Sequence, residues 1–222
     1  MASSTVENYI KQIYALQFDR VDGGTVSMGE LASSLGVAPG TATSMIKSLS
    51  RSGEVDYVPR VGVRLSESGE RLALAVLRKH RLIELFLVKT LGMDWHEIHD
   101  EAEALEHVIS DRVLERIDEL LGSPKFDPHG DPIPSAAGKI VRRDLVPLDA
   151  CSEGQSVRLC RIEDQDGKFL RYLESNGLMP GAEARIEQVD PQAGVVSLRF
   201  SNGGSTTLGL PAAKKIQVEV CE

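Results

Sequence analysis

The chain has 222 residues, 41% of them hydrophobic and 26% charged, with a formal net charge of -8. That length exceeds a typical domain of roughly 100 to 150 residues and predicts two or three compact units with real cores, and the composition argues against disorder. No apolar run approaches the roughly 18 residues that span a bilayer, the N-terminus lacks the order of a secretory signal, and Cys151, Cys160 and Cys221 lack CxxC spacing, so a cytoplasmic protein without membrane contact, disulfide framework or zinc ribbon is expected.

Val6, Ile10, Ile13 and Tyr14 recur at helical spacing and predict a first helix, broken at Asp22-Gly23-Gly24. Ser27 with Glu30 forms a capping-box pattern ahead of a stripe of Met28, Leu31, Ala32 and Leu35, a second helix ended by Gly36. Pro39 suits the first turn of a third helix with inner face Ala42, Ile46 and Leu49, stopped at Gly53. Two short helices about a tight turn predict a helix-turn-helix. Val55, Tyr57 and Val58, a turn at Pro59-Arg60-Val61-Gly62, and Val63 and Leu65 predict a hairpin wing.

From Glu67 to Leu91 apolar residues are too dense for one surface stripe, which suits a helix buried in a dimer core. Further helices are expected over Trp95 to Ser110 and Arg112 to Leu121. The stretch DPHGDPIP (Asp127 to Pro134) cannot sustain regular structure and marks a boundary. Beyond it, strands at Ser156–Arg161, Glu183–Val189, Val195–Phe200, Thr206–Leu210 and Ile216–Val220, with a short helix at Phe169–Ser175, predict a small closed or half-closed SH3-like barrel. The expected fold is therefore mainly α with a small β domain. Its parts are a winged helix-turn-helix (1–70), a helical dimerisation and metal-binding domain (71–134), a linker (135–150) and the barrel (151–222).

Charge is unevenly placed. Residues 101 to 130 hold eight acids against three bases, whereas residues 38 to 53 hold Lys47 and Arg51 and no acid. One region attracts cations and the other tolerates phosphate. Histidines 80, 96, 99 and 107 lie interleaved with Glu84, Glu103 and Glu106. On a continuous helix His99, Glu103, Glu106 and His107 fall at roughly 0°, 40°, -20° and 80°, one face about 100° wide. His80 and Glu84, at i and i+4, form a matching face on the preceding helix. Imidazole and carboxylate without thiolate suit Mn(II), Fe(II), Co(II) or Zn(II). His96 and His129 read instead as structural or exposed.

On the third helix Pro39, Thr41, Thr43, Ser44, Lys47, Ser48 and Arg51, with Arg60 at the wing tip, form the candidate DNA face; small hydroxyl side chains permit close approach to phosphates, and Ser44 near the helix start can reach a base edge. No GxSxG, HExxH, P-loop or GxGxxG appears in a fitting context, so an enzyme is not expected. Two rivals remain at this point. One is a metal-dependent hydrolase or storage module with an incidental helix-turn-helix, and the other a DNA-binding dimer indifferent to metal.

The runs RKHRLIELFL (Arg78 to Leu87) and HDEAEALEHVISD (His99 to Asp111), together with DPHGDPIP, closely resemble the diphtheria toxin repressor family of iron- and manganese-dependent repressors. The resemblance extends from Val6 to the C-terminus, where Leu178 to Gly181 and the last strands look like that family's SH3-like or FeoA-like domain. It implies a homodimer that binds palindromic operator DNA when divalent metal is bound. It also implies His80, Glu103, Glu106 and His107 as ligands with Asn8 from the first helix, and Glu84 and His99 in a neighbouring site to which Glu163 to Asp166 are candidate contributors. Glu at position 103 resembles the manganese-responsive branch, so Mn(II) is the expected cofactor, with Fe(II), Co(II) or Zn(II) as alternatives. Asn8 departs from both branches, which carry Met or Asp there, and Lys11 replaces an acid used by some manganese members, so a two-metal cluster of that kind is not expected.

Overall fold

The computed structural model describes residues 3–18 and 24–221; the predicted break at Asp22-Gly23 lies outside them. Helix α1 (Ser4–Phe18) buries Tyr9, Ile10 and Ile13, with Val6 and Tyr14 flanking the same core. Helix α2 (Met28–Ser34) starts at the predicted capping box: the Ser27 hydroxyl accepts from the Glu30 amide at 3.2 Å, and the Glu30 carboxylate accepts from the Ser27 amide at 3.0 Å. Helix α3 (Pro39–Ser52) has Pro in its first turn, buries Ala42, Ile46 and Leu49, and closes on Gly53.

Strands β1 (Val55–Val58) and β2 (Gly62–Leu65) pair antiparallel as the wing, with Val55 opposite Leu65 and Val58 opposite Gly62. Val26 and Val63 exchange amide–carbonyl bonds of 2.8 and 2.9 Å. That approach requires glycine at position 62, where a Cβ would lie 2.3 Å from the Val26 carbonyl oxygen. The Gln17 side chain donates to the Gly24 carbonyl and accepts from the Leu65 amide, fastening α1 to the wing. These elements share one apolar core.

Helix α4 (Glu67–Leu91) is buried along most of its length, from Ala73 to Leu87. Helix α5 spans Ile98–Glu106 and α6 spans Asp111–Leu120. The expected helix from Trp95 to Ser110 is thus shorter at both ends. Asp94 to Glu97 form a turn, the Glu97 amide reaching the Asp94 carbonyl at 3.0 Å, because Trp95 turns into the core of the β-rich region. His107 lies just past the last helical residue.

Strands β3 (Val146–Pro147), β4 (Ser156–Ile162), β5 (Glu183–Asp190), β6 (Val195–Phe200), β7 (Ser205–Gly209) and β8 (Ile216–Cys221) form an antiparallel sheet in the order β3-β8-β4-β5-β6-β7. Bulges at Leu159/Arg161 and Ile186/Gln188 bend the two central strands. Helix α7 (Gly167–Ser175), capped by the Asp166 carboxylate, and the short α8 (Leu210–Ala213) complete the region. Strand β3 falls inside the stretch expected to be linker, and its pairing with β8 puts that segment into the sheet.

By compactness the chain divides into two units. The first holds the described residues up to His80 with Ala104–Ser110 and Pro134–Lys139, and the second holds Arg81–Glu103, Asp111–Ile133 and the chain from Ile140 onward. No helix among the described residues is long and apolar enough to cross a membrane.

In the second unit the DPHGDPIP segment is irregular, as expected, yet buried from His129 to Ile133. Its backbone is satisfied by its own turn and by β4, where the Ile162 amide donates to the His129 carbonyl at 2.9 Å. Gly130 has φ 88°, and a Cβ there would stand 1.8 Å from the Cys160 carbonyl oxygen. Gly130→Ala is therefore expected to cost about 3 kcal/mol through strain and displacement of the segment. Gly181→Ala, at φ 94° but in open space, should cost about 1 kcal/mol. Thermal or urea unfolding of the two variants checks the ranking; equal losses would contradict it.

Candidate metal centres and nucleic-acid face

In the first unit, α1 presents Glu7, Asn8 and Lys11 on one face, since i, i+3 and i+4 positions are neighbours. Against them stand His80 from α4, Glu106 at the end of α5, and His107. The Glu106 side chain is fully buried. Its Oε1 accepts from Lys11 Nζ at 2.7 Å, and its Oε2 lies 2.6 Å from His80 Nδ1. Burial raises the Glu106 pKa, but the hydrogen bond from His80 and the Lys11 charge outweigh it and hold the carboxyl below its ordinary value.

His107 Nδ1 lies 2.6 Å from Glu7 Oε2. A carboxylate only accepts, so the ring proton sits on Nδ1 and the Nε2 lone pair is left facing inward. That Nε2 is buried without a hydrogen-bond partner, 3.4 Å from Glu106 Oε1. Asn8 Oδ1 is likewise buried and unpartnered. Two buried lone-pair atoms without hydrogen-bond partners carry a desolvation cost, and a cation placed between them and the Glu106 carboxylate would relieve it. The set is oxygen and nitrogen with no thiolate, which fits a borderline or hard divalent ion.

The unit thus brings together Asn8, His80, Glu106 and His107 from the expected ligand set. Sequence reasoning missed Glu7, which orients His107; its signal was an acid beside Asn8 on the same helix face. Glu103 lies one turn before Glu106 and His107 on the chain but belongs to the second unit.

In the second unit Glu84 meets His99 at 3.5 Å, and His99 meets Glu103 at 4.0 Å. His99 is half exposed and Glu84 fully buried. Glu84 also belongs to a second cluster that the sequence reading sets aside. Ligand atoms of Glu84, Asp127 and His129 all lie within 4.8 Å of one another, and all three side chains are buried.

His129 is stacked on Trp95, with ring centroids 5.5 Å apart, and its Nε2 donates to the Trp95 carbonyl at 3.0 Å, leaving Nδ1 directed 3.8 Å from Glu84 Oε2. Asp127 Oδ1 accepts from the His129 and Asp131 amides, while its Oδ2 is buried without a hydrogen bond. Burial, then Asp131 and Glu84, push the Asp127 pKa up to about 7 against Arg81 and His129. Burial lowers the His129 pKa, but Glu84 and Asp127 outweigh it and the net shift is upward. The missed signal was the pairing of Asp127 with His129 two residues on, inside a loop too rigid with Pro and Gly to be mere linker. His96 stays apart, 3.7 Å from Glu97 and from Glu174. Of the stretch Glu163 to Asp166, Glu163 accepts from Gln217, Asp164 pairs with Lys215, Asp166 caps α7, and Gln165 reaches the loop by donating to Asp131 at 3.1 Å.

On α3, Pro39, Thr41, Ser44, Lys47, Ser48 and Arg51 are exposed opposite the buried Ala42, Ile46 and Leu49. Thr43 is half-buried and donates its hydroxyl back to the Pro39 carbonyl at 2.8 Å, leaving only its lone pairs for an outside partner. Arg60 is exposed at the wing tip with φ 66°, flanked by the exposed Val58 and Val61.

Family models match along almost the whole chain: the iron dependent repressor N-terminal DNA binding domain over residues 1–63, the iron dependent repressor metal binding and dimerisation domain over 66–135, and the FeoA domain over 146–220. The diphtheria toxin repressor of Corynebacterium glutamicum is 32% identical over 98% of this chain and 97% of its own. Among solved structures, a manganese-dependent transcriptional repressor in complex with manganese shares 41% identity, with a TM-score of 0.88 over 97% of this chain and all of that one. The structure of ScaR with bound Zn2+ shares 35% identity, with a TM-score of 0.77 over 96% of this chain and 98% of its own. A DNA-binding domain, a metal-binding dimerisation domain and a FeoA domain in this order, matched end to end, place the chain in the diphtheria toxin repressor family of metal-dependent transcriptional repressors, which are not enzymes.

Proposed function

We propose that the chain is a cytoplasmic repressor of metal-homeostasis genes that binds a palindromic operator as a homodimer when Mn(II), or alternatively Fe(II), Co(II) or Zn(II), occupies the α1-facing cluster. The observation that supports this reading is the pair of buried lone-pair atoms without hydrogen-bond partners, Asn8 Oδ1 on α1 and His107 Nε2 opposite it, beside the contacts of Glu7 with His107 and Lys11 with Glu106. Asn8, His80, Glu106 and His107 would hold the ion; Glu103, the further ligand that the family resemblance implies, belongs to the second unit. The manganese complex of a 41% identical relative and the absence of sulfur from the donor set favour Mn(II). Glu84, Asp127 and His129, with His99 nearby, are proposed as a second site.

A bound divalent ion would supply a strong electrostatic tie between atoms on different helices. This chain's own residues set what that tie acts on. Asn8 and Glu7 belong to α1, which packs in one core with the recognition helix α3 and, through Gln17, carries the wing. His80, Glu106 and His107 belong to the dimerisation segment. Joining the two sets fixes the recognition helix relative to the dimer, so that two copies match two half-sites. Leu91, Val113 and Leu120, in the second unit, are exposed apolar side chains and would supply surface for a partner copy to cover. A differential affinity worth about 1 to 3 kcal/mol suffices for such coupling. At the DNA, Lys47, Arg51 and Arg60 neutralise phosphates and Ser44 approaches a base edge.

Glu106→Gln removes the buried charge and keeps the shape. Its Mn(II)-dependent affinity for DNA upstream of its own gene, read by fluorescence anisotropy, is expected to fall more than tenfold, to the level of the wild-type chain in chelator; unchanged metal-dependent binding would refute the site. Arg51→Ala is expected to weaken binding without altering metal dependence and to reduce the salt slope by about 1.

Asp127 titrates near 7 in the fold, above its ordinary 3.8, so the fold binds its proton more tightly than the unfolded chain does. The stability it contributes is full below about pH 4 and is lost as pH rises toward about 7, and the raised His129 pKa acts in the same sense. The metal-free protein should therefore lose thermal stability between pH 5 and 7 (on the order of 1 kcal/mol), and Asp127→Asn should flatten that slope. Parallel slopes in the two proteins would contradict the assignment.

A further inference from the structure

We propose that Lys11 is a resident cation that holds the metal-free site together and competes with the divalent ion for Glu106. The inference rests on the reading of the α1-facing cluster as a metal site, and goes beyond it by giving that site a built-in competitor.

Glu106 has two oxygens. Oε2 is engaged by His80, and Oε1 is held by the Lys11 ammonium at 2.7 Å. Oε1 is also the oxygen that lies 3.4 Å from the unpartnered His107 Nε2. A divalent ion bound between His107 and Glu106 would use that same oxygen, and would stand within a few ångströms of the ammonium. Two cations so placed in a weakly screened interior repel strongly, so the ion displaces the lysine.

The geometry permits the exchange. The Glu106 side chain has no exposed surface, whereas the Lys11 side chain retains 15%, placing the lysine at the rim with a flexible four-carbon stem that can carry its charge to water. Without metal, the buried carboxylate needs a counter-charge, and Lys11 supplies it across the same gap between α1 and the end of α5 that the ion would bridge. Lysine is therefore a placeholder. It preserves the site between metal-binding events and lowers the apparent affinity, setting the metal concentration at which the protein responds.

A structural ion pair would stabilise the metal-free and metal-loaded proteins alike. A placeholder stabilises the metal-free form alone, and by thermodynamic linkage whatever stability its removal takes from that form returns as tighter metal binding. Lys11→Met is the direct probe. Isothermal titration with Mn(II) should show the class of site abolished by His107→Gln binding about tenfold more tightly than in the wild-type chain, equivalent to about 1.4 kcal/mol. The metal-free Tm should fall, and the Mn(II)-saturated Tm should match wild type.

Lys11→Gln, which keeps a hydrogen-bond donor without the charge, should shift affinity and metal-free Tm in the same directions and serves if the methionine variant does not fold. Unchanged or weaker Mn(II) affinity, or equal loss of Tm with and without metal, would overturn the placeholder role while leaving the metal site standing. A wild-type chain lacking any His107-dependent Mn(II) site would overturn both.

Discussion

A carboxylate with no access to water governs the first unit. Glu106 is fully buried at the end of α5, and an isolated charge in such a place is far too costly to keep. The fold answers by converging cations and dipoles on it from sequence-distant elements: Lys11 from α1 and His80 from α4, with His107 alongside and oriented by Glu7. Residues 95 and 26 positions away from Glu106 are thereby fixed to it. The helix that carries the wing and shares a core with the recognition helix is positioned by charge as well as by apolar packing. On the function proposed above, a divalent ion in the cluster would act on the recognition helix through that helix, and no separate signalling element is needed.

The second unit repeats the logic with different parts. Glu84, Asp127 and Asp131 are all buried, and Arg81 and Arg161 compensate them only partly, Arg161 Nε lying 2.7 Å from Asp131 and Arg81 Nε 3.7 Å from Asp127. The residual conflict appears as an Asp127 carboxyl that keeps its proton to near neutrality. Both clusters therefore concentrate negative charge where a cation relieves it. The net charge of -8 is compatible with DNA binding because of where the acids lie: the recognition helix α3 carries none of them.

Local signals were legible wherever local physics decides. The Ser27–Glu30 capping box, Pro39 at the start of α3, Gly53 at its end and the wing hairpin all follow from short-range backbone chemistry, and all appear where the sequence places them. The C-terminal strands were legible within a residue or two from alternation and turn residues. The start of α5 was not, because Trp95 leaves the helical path to fill a core built from residues beyond 148, and periodicity carries no record of such a distant demand. His129 was illegible for the same reason. Its local signal is Asp127 two residues before it, in a Pro- and Gly-rich loop without helical or strand periodicity, and Glu84 lies 45 positions earlier in the chain. The face of His99, Glu103, Glu106 and His107 was legible as a helical pattern, although His107 lies past the helix end and Glu7 emerged only once α1 was packed against it.

On the proposed function, Asn8, Glu106 and His107 would hold a divalent ion between α1 and the end of α5. Anomalous diffraction from crystals grown with Mn(II), recorded on both sides of the manganese edge, tests it most directly. The expected result is a peak bonded to His107 Nε2, Glu106 Oε1 and Asn8 Oδ1, with the Lys11 ammonium moved off the carboxylate. Manganese found only among Glu84, Asp127 and His129, with the Lys11–Glu106 pair intact, would contradict the account.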